Sequence, residues 1–301
     1  MVYIQEILNN APREDRLHGN ERFPLAPYWL QIGPEELIVE LHWHEEAEFF
    51  YVLEGAALVQ IGTNYYPTQA GEAVFIHGGD IHAAYPLGDA GCSFFAVVFN
   101  MNILRSGVKD VVHSDYILPL LEGSRTLPLH YTDHDHTILA NLGGIMHILE
   151  QKNVGHELAV KAHLYLILAD IAAHNSWIIR HAPSPSVTNR IDSLKTVLNY
   201  IGTNYMQRIT IKEMAALIYM SEGHFCRFFK TMVRQTPIEY INSFRINKAT
   251  DLIEHTNRKI LDIAMEVGFD NLSYFIKKFR VQMNCTPAQY RMRARTDVES
   301  S

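Results

Sequence analysis

Between residues 37 and 100 the apolar positions come in short runs rich in Val, Ile, Phe and Tyr, separated by Gly55, Gly62, Gly71, Gly78, Gly79 and Gly88. These runs predict strands over 37–41, 47–53, 57–61, 65–68, 73–76, 82–85 and 93–100, and their even spacing suggests a small antiparallel barrel or jelly roll. Upstream, residues 1–36 hold Pro12, Pro24, Pro27 and Pro34 and little periodicity, which predicts an arm with short extended pieces. From about residue 138 the period becomes helical. Ile138, Leu142, Ile145, Ile148 and Leu149 form one stripe, and Leu158, Leu164, Ile167, Leu168 and Ile171 a second. Gly143 and Gly144, inside the first stripe, either weaken that helix or admit a close neighbour. A proline- and serine-rich stretch, residues 182–189, reads as a linker between a first domain, residues 1–181, and a second, residues 190–296.

The second domain contains one pattern written twice. Ala215, Phe225, Phe229, Thr236, Pro237 and Tyr240 are matched by Ala264, Phe275, Phe279, Thr286, Pro287 and Tyr290, at an offset of 49 residues for the alanine and 50 for the others. Each copy has the parts of a helix-turn-helix. Thr210 and Glu213 make a capping box that opens a helix over 211–219, with Met214, Leu217 and Ile218 on its apolar face. After a tight turn Ser221 caps a helix over 222–234, in which Phe225, Phe228 and Phe229 face inward and Gly223, Cys226, Arg227 and Lys230 outward. In the second copy the helices run over 260–267 and 272–283, with Gly268 and Phe269 in a turn one residue longer. There Tyr274, Phe275 and Phe279 are expected inward, and Ser273, Ile276, Lys277 and Arg280 outward. Between the copies Thr236 caps, and Pro237 opens, a long helix to about residue 255 that holds the two readers at a fixed separation. Two such helices suit adjacent major-groove segments about 34 Å apart, so double-stranded DNA is the expected partner. A plain bundle with a solvated basic face explains neither the repeat nor the paired cations.

The chain has 301 residues, 48% of them hydrophobic and 20% charged, enough to bury a sizeable core in two domains. Its net charge of −7 looks wrong for a nucleic-acid binder until the chain is split. From Val187 onward there are 17 Lys+Arg against 11 Asp+Glu, a net +6, which leaves −13 for the rest. Cys92, Cys226 and Cys285 show no paired spacing, so neither a disulfide framework nor a cysteine zinc site is expected. Cys226 reads as a small space-filling residue more readily than as a redox switch. Residues 1–16 lack a signal pattern and no apolar run approaches a membrane span, which predicts a cytoplasmic protein with no membrane partner.

The residues 260–264 (Ile-Leu-Asp-Ile-Ala), Gly268-Phe269, Ser273-Tyr274-Phe275, Phe279-Arg280 and 286–291 (Thr-Pro-Ala-Gln-Tyr-Arg) resemble the DNA-binding domain of the AraC/XylS family of bacterial transcription regulators, over about the last hundred residues. The resemblance implies activation or repression at promoters, RNA polymerase as a partner, a homodimer, and base contacts from the eight outward positions. This chain departs from a hydrogen-bonding reader at Gly223, which has no side chain, and at Leu272 and Ile276, which suit only a thymine methyl.

In the first domain His42-Trp43-His44, Glu48 and Gly55, followed by Gly71, His77, Gly79 and His82, are similar to the two-part cupin signature. The usual glycine before the first half is missing. In the second half His77 replaces a proline, and Pro86 stands where asparagine is common. The resemblance implies that His42, His44, Glu48 and His82 converge inside the barrel. Three readings stay open: a divalent metal site for Zn, Ni, Mn or Fe, a polar pocket for a sugar or polyol with Trp43 or Phe50 as apolar wall, or barrel residues satisfied among themselves. His134, His136 and His174 lack ligand spacing and read as surface or helix residues. The expected whole is an α+β chain of two domains, an N-terminal cupin-like β-barrel with flanking helices and a C-terminal all-α double helix-turn-helix. Its expected function is that of a ligand-responsive, dimeric transcription regulator, with a sugar as the small-molecule effector and no catalytic residues. The rival is a metal-dependent cupin enzyme with an accessory helical domain.

Overall fold

The computed structural model describes residues 13, 14, 17–34, 37–179 and 185–299, with side chains left out at 185–188 and 294–299. By contacts the chain divides between Thr188 and Asn189 into two compact units. Among the described residues no helix is long and apolar enough to cross a membrane.

The first unit is built around β3, Ala47–Ile61, a strand of 15 residues. Its first half pairs antiparallel with β7 (Cys92–Phe99) and β5 (Ala73–Ile76). Its second half pairs with β4 (Asn64–Gln69) and β6 (His82–Pro86). One sheet therefore runs through β1 (Leu25–Ile32), β7, β3, β5 and β9 (His130–Tyr131), while β2 (Val39–His42) joins β6 on the other. The expected break between strands at 53–57 does not exist. Gly55 instead bends one continuous strand from sheet to sheet, at φ +74° and so close to the crossing chain that a Cβ would lie 2.1 Å from the Gly91 carbonyl oxygen. The arm also holds a full strand that its prolines hid. Among the described residues β1 lies at the sheet edge and pairs only with β7, where Pro27 needs no outward N–H.

Alternation along β3 decides what faces what. Ala47 and Phe49, with Phe75, Phe95, Val97 and Phe99, pack beneath α2 (His136–Gln151) and α3 (His156–Ala173). Glu48, Phe50 and Val52 therefore point to the opposite face, where Phe50 stacks on Phe94 with ring centroids 4.4 Å apart. The first helical stripe is buried at Ile138, Leu142, Ile145 and Leu149. Gly144 admits the His163 ring of α3, which would stand 2.6 Å from a Cβ there. Leu158, expected in the second stripe, is instead 76% exposed at the start of α3. Between the sheets and α2, a 3-10 turn (Met101–Leu104) and a π-helical turn (His113–Ile117) lead into α1 (Leu118–Leu121). Short β8 (Arg125–Thr126) pairs with β10 (Ile178–Ile179).

From Asn189 onward the second unit has, among the described residues, only helices and their turns: α4 (Pro185–Asn204, which begins four residues before the division), α5 (Ile211–Leu217), α6 (Glu222–Val233), α7 (Pro237–His255), α8 (Ile260–Glu266), α9 (Leu272–Met283) and α10 (Pro287–Glu299). Residues 185–189 of the expected linker are the first residues of α4, because Pro185 can open a helix at no cost in hydrogen bonds. The same cap chemistry starts three helices. Thr210 with Glu213 and Thr236 with Glu239 form reciprocal capping boxes, and Thr286 with Gln289 repeats the arrangement. Ser221 stands at the N-cap of α6 in extended conformation without a side-chain cap bond.

Two alanine substitutions separate strain from collision at the corner of β3. Gly71 is also left-handed, at φ +87°, but has open space around a Cβ. Gly71→Ala is expected to cost about 1 kcal/mol and Gly55→Ala about 3 kcal/mol or more. All three tryptophans, Trp29, Trp43 and Trp177, belong to the first unit, so urea unfolding followed by their fluorescence reads this difference.

Candidate DNA interface and effector site

The two helix-turn-helix copies differ by one residue of turn, as the 49- and 50-residue offsets require: four residues separate α5 from α6 and five separate α8 from α9. Both turns need a left-handed residue at the matched position. It is Tyr219 in the first, at φ 56° and 98% exposed, and Gly268 in the second. Only glycine fits at the second, since a Cβ would stand 2.4 Å from the Tyr205 carbonyl oxygen. Phe225, Phe228 and Phe229 are buried on α6, and Phe275 and Phe279 on α9. That leaves Gly223, Arg227 and Lys230 exposed and Cys226 half-buried, with the Arg227 guanidinium 3.8 Å from where a Gly223 Cβ would be.

On α9 Ser273, Lys277 and Arg280 are exposed and Ile276 is half-buried, and these four line one shallow concavity with Val281 and Thr286. Tyr274, expected inward, is 42% exposed. Its hydroxyl accepts a hydrogen bond from Asn242 at 3.1 Å, which draws the ring along the flank of the helix toward α7. Lys278 lies over the same ring at 5.7 Å and so is turned away from the outward face. Leu217 is likewise on the surface instead of the apolar face, because α5 ends there. His224, between Gly223 and Phe225, is exposed on α6 and escaped the sequence reading.

In the first unit His42, His44, Glu48 and His82 come together, with one ligating atom from each within 4.8 Å of all the others. His42 and His82 face each other across β2 and β6. His44 is held by the turn between β5 and β6, where Gly79 donates its N–H to the His44 carbonyl at 2.7 Å. The alternation of β3 aims Glu48 at the same point. Each imidazole is oriented through Nδ1, which lies 2.8 Å from Glu40 O in His42, 3.0 Å from Glu46 O in His44 and 2.9 Å from Asp80 O in His82. A carbonyl can only accept, so Nδ1 carries the proton and each Nε2 presents a lone pair to the centre when the ring is neutral.

That centre is electrostatically tense. The Glu48 carboxylate lies 3.1 Å from His44 Nε2 and 3.4 Å from His82 Nε2. Burial alone would raise the Glu48 pKa, but the hydrogen bond to His44 and the neighbouring imidazoles hold it far below the usual carboxylate range. Burial also disfavours charge on His44, yet the hydrogen bond and charge of Glu48 outweigh it and raise the pKa. Burial, then the rings of His82 and His44, push the His42 pKa well down. His82 Nε2 is buried, and its partner is the Glu48 carboxylate at 3.4 Å, longer than a good hydrogen bond. Two groups near the quartet come from the arm and were missed in the sequence: the Glu14 carboxylate is 3.6 Å from His42 Nε2 and 3.7 Å from His18 Nε2. Neither has a motif, since only the folded arm brings them there. His134, His136 and His174 are exposed and lie outside this cluster.

Residues 31–168 match the AraC-like ligand binding domain and residues 214–293 a helix-turn-helix domain. The HTH-type transcriptional regulator YdeC of Bacillus subtilis (strain 168) is 27% identical over 289 residues, which cover 95% of this chain and 97% of YdeC. The melibiose operon regulatory protein of Escherichia coli (strain K12) is 33% identical over 118 residues, 39% of this chain and 36% of that protein. Among solved structures, the DNA-binding domain of AdpA in complex with a target DNA is 24% identical, with a TM-score of 0.35, covering 36% of this chain and 98% of its own. The chain belongs to the AraC-type regulators. It is a ligand-responsive DNA-binding transcriptional regulator and not an enzyme.

Glu48 is the carboxylate that lies against both His44 Nε2 and His82 Nε2, so removing its charge takes away the partner that stabilises them. Glu48→Gln is expected to lower stability by about 1–3 kcal/mol in urea, read by tryptophan fluorescence. An unchanged midpoint would show that the quartet contributes nothing to the fold.

Proposed function

We propose that the barrel of residues 1–181 binds a small-molecule effector, a sugar, through His42, His44, Glu48 and His82, and that residues 190–296 carry the response to promoter DNA. The observation that carries this reading is the convergence of three Nε2 atoms and a carboxylate, each ring locked from behind by a carbonyl. Such a cluster offers both acceptors and donors to hydroxyl groups, with Phe50 and Phe94 on the same side of the sheet as apolar wall. Sugar-operon regulators among the relatives, for melibiose and lactose, favour this chemical class.

A second reading of the same quartet is favoured by the loosely partnered His82 Nε2 and the fixed tautomers, which are the arrangement of a metal-ligating histidine set. His42, His44, His82 and Glu48 would hold a divalent ion of the Zn, Ni, Mn or Fe type, and the ion would supply open positions for ligand oxygens. In this reading the protein's part is to orient the three rings and to place Glu14 beside His42.

For DNA we assign the contacts to Gly223, Cys226, Arg227 and Lys230 on α6 and Ser273, Ile276, Lys277 and Arg280 on α9. The cations meet phosphates or base edges, Gly223 allows close approach, and Ile276 meets a thymine methyl. The protein acts as a homodimer in the cytoplasm, with RNA polymerase as its further partner at the promoter. The exposed Leu158 and Leu166 of α3, 76% and 53% accessible, support a second copy on that helix. The effector works as far as it binds one arrangement of the dimer better than the other.

Two experiments test this. The full chain is used to select duplexes from a random library, and its affinity for the selected DNA is measured against salt. Arg227→Ala and Lys277→Ala should each weaken binding and lower the log–log salt slope by about 0.9; indifference to both would overturn the DNA assignment. Thermal shift against a panel of monosaccharides and oligosaccharides, with nickel(II) or with chelator, tests the barrel. A saccharide that raises the melting temperature of the wild type but not of His82→Ala is the expected result, and a rise only with nickel(II) selects the metal reading. No shift with any sugar under either condition refutes the sugar effector.

A further inference from the structure

A cavity of about 750 Å³ lies in the first unit between the π-helical turn and α3, and it shares no residue with the barrel quartet. Its walls are Leu104, Ile117, Tyr165, Leu168 and Ala172, with His113 and Asp110 at one side. The π-turn arises where the Leu118 N–H reaches back five residues to the His113 carbonyl. Such turns widen a helix locally and often shape binding sites. Around the mouth Val112 and Tyr116 remain 43% and 39% exposed, so apolar surface continues from the interior to the rim beside Asp110 and Ser106.

Within this setting one polar atom has nothing to do. His113 is 9% exposed and lines the cavity, and its Nδ1 has no hydrogen-bond partner among the described residues. The Asp110 carboxylate is occupied with the His113 backbone N–H at 2.8 Å, and the Tyr165 hydroxyl donates to Leu104 O at 2.9 Å. A buried ring nitrogen without a partner is costly, and a water needs two or more polar partners to be held well. An oxygen carried on an apolar body satisfies the nitrogen and fills the rest of the space.

We propose that this cavity is a second small-molecule site, taking an apolar molecule that bears a single hydroxyl group hydrogen-bonded to His113 Nδ1. A hydroxyl can donate to or accept from the ring in either tautomer. A carboxylate can only accept, and it would share the site with Asp110. An ammonium would give up its hydration to a largely apolar wall. The volume suits an aromatic or branched aliphatic alcohol, within the roughly 300–1,000 Å³ range of ligand pockets.

The test uses the full chain and the fluorescence of 2-naphthol, with naphthalene and 2-naphthoate as competitors. The expected result is saturation at one 2-naphthol per chain, about tenfold tighter than either competitor, the worth of one hydrogen bond. His113→Phe should bring 2-naphthol down to the level of naphthalene. Ala169→Trp, on the exposed wall of α3, should abolish binding of both, whereas His82→Ala in the barrel should leave it unchanged. Tryptophan-detected unfolding confirms that each variant folds. Absence of saturation, equal affinity for naphthalene, a preference that survives His113→Phe, or loss through His82→Ala but not Ala169→Trp would each overturn the proposal.

Discussion

The helical unit depends on α7 being buried nearly all round. Tyr240, Ile241 and Phe244 lie toward its start, and Ile246, Ala249 and Ile253 further along; all six are buried. The first copy seats Phe229 edge-on against Tyr240, and the second gathers Ile246, Ala249 and Ile253 with Phe275 and Phe279. Polar side chains then fix the angle. Asn242 donates to the Tyr274 hydroxyl, Gln282 of α9 donates to Asn247 Oδ1 at 2.6 Å, and Arg245 donates to the carbonyls of Tyr205 and Gln207. A bond to a buried partner is worth more than its net energy suggests, because losing it leaves a buried polar group exposed to nothing. The result is a brace whose two ends each carry a helix-turn-helix, so the separation of α6 and α9 is a property of one packed helix.

The barrel is organised by an analogous economy, with β3 as the shared member. Its odd positions pack under α2 and α3, and its even positions look into the site, so a single strand sets both the stability of the unit and the direction of Glu48. The quartet is held from behind by carbonyls and from the front by its own charges and the Glu14 carboxylate. That is a poor arrangement for stability and a good one for receiving a ligand, because what it lacks an occupant can supply.

Much of this was legible in the sequence, for reasons specific to each element. The repeat was readable because Ala215, Phe225 and Phe229 and their partners are core residues at helical spacing, and spacing is local. The quartet was readable through the resemblance of its spacing to the two-part cupin signature, and alternation along β3 accounts for the direction of Glu48. What was lost depended on contacts distant in the chain. Pro27 disguised β1, whose strand character comes from its pairing with β7. Gly55 passed for a turn because its role is set by Gly91, far along the chain. Tyr274 fitted the inward pattern, yet the hydrogen bond from Asn242 on another helix decides its place. Glu14 and His18 reach His42 only through the folded arm, and the cavity beside His113 depends on a π-turn that no hydrophobic period announces.

The central claim is that one chain presents two reading helices to DNA at a separation set by α7. Hydroxyl-radical footprinting of the full protein on selected DNA, combined with guanine N7 methylation interference, tests it most directly. The account predicts, for each chain, two protected major-groove segments about one helical turn apart on the same face of the duplex. A single protected segment, or two on opposite faces, would contradict it.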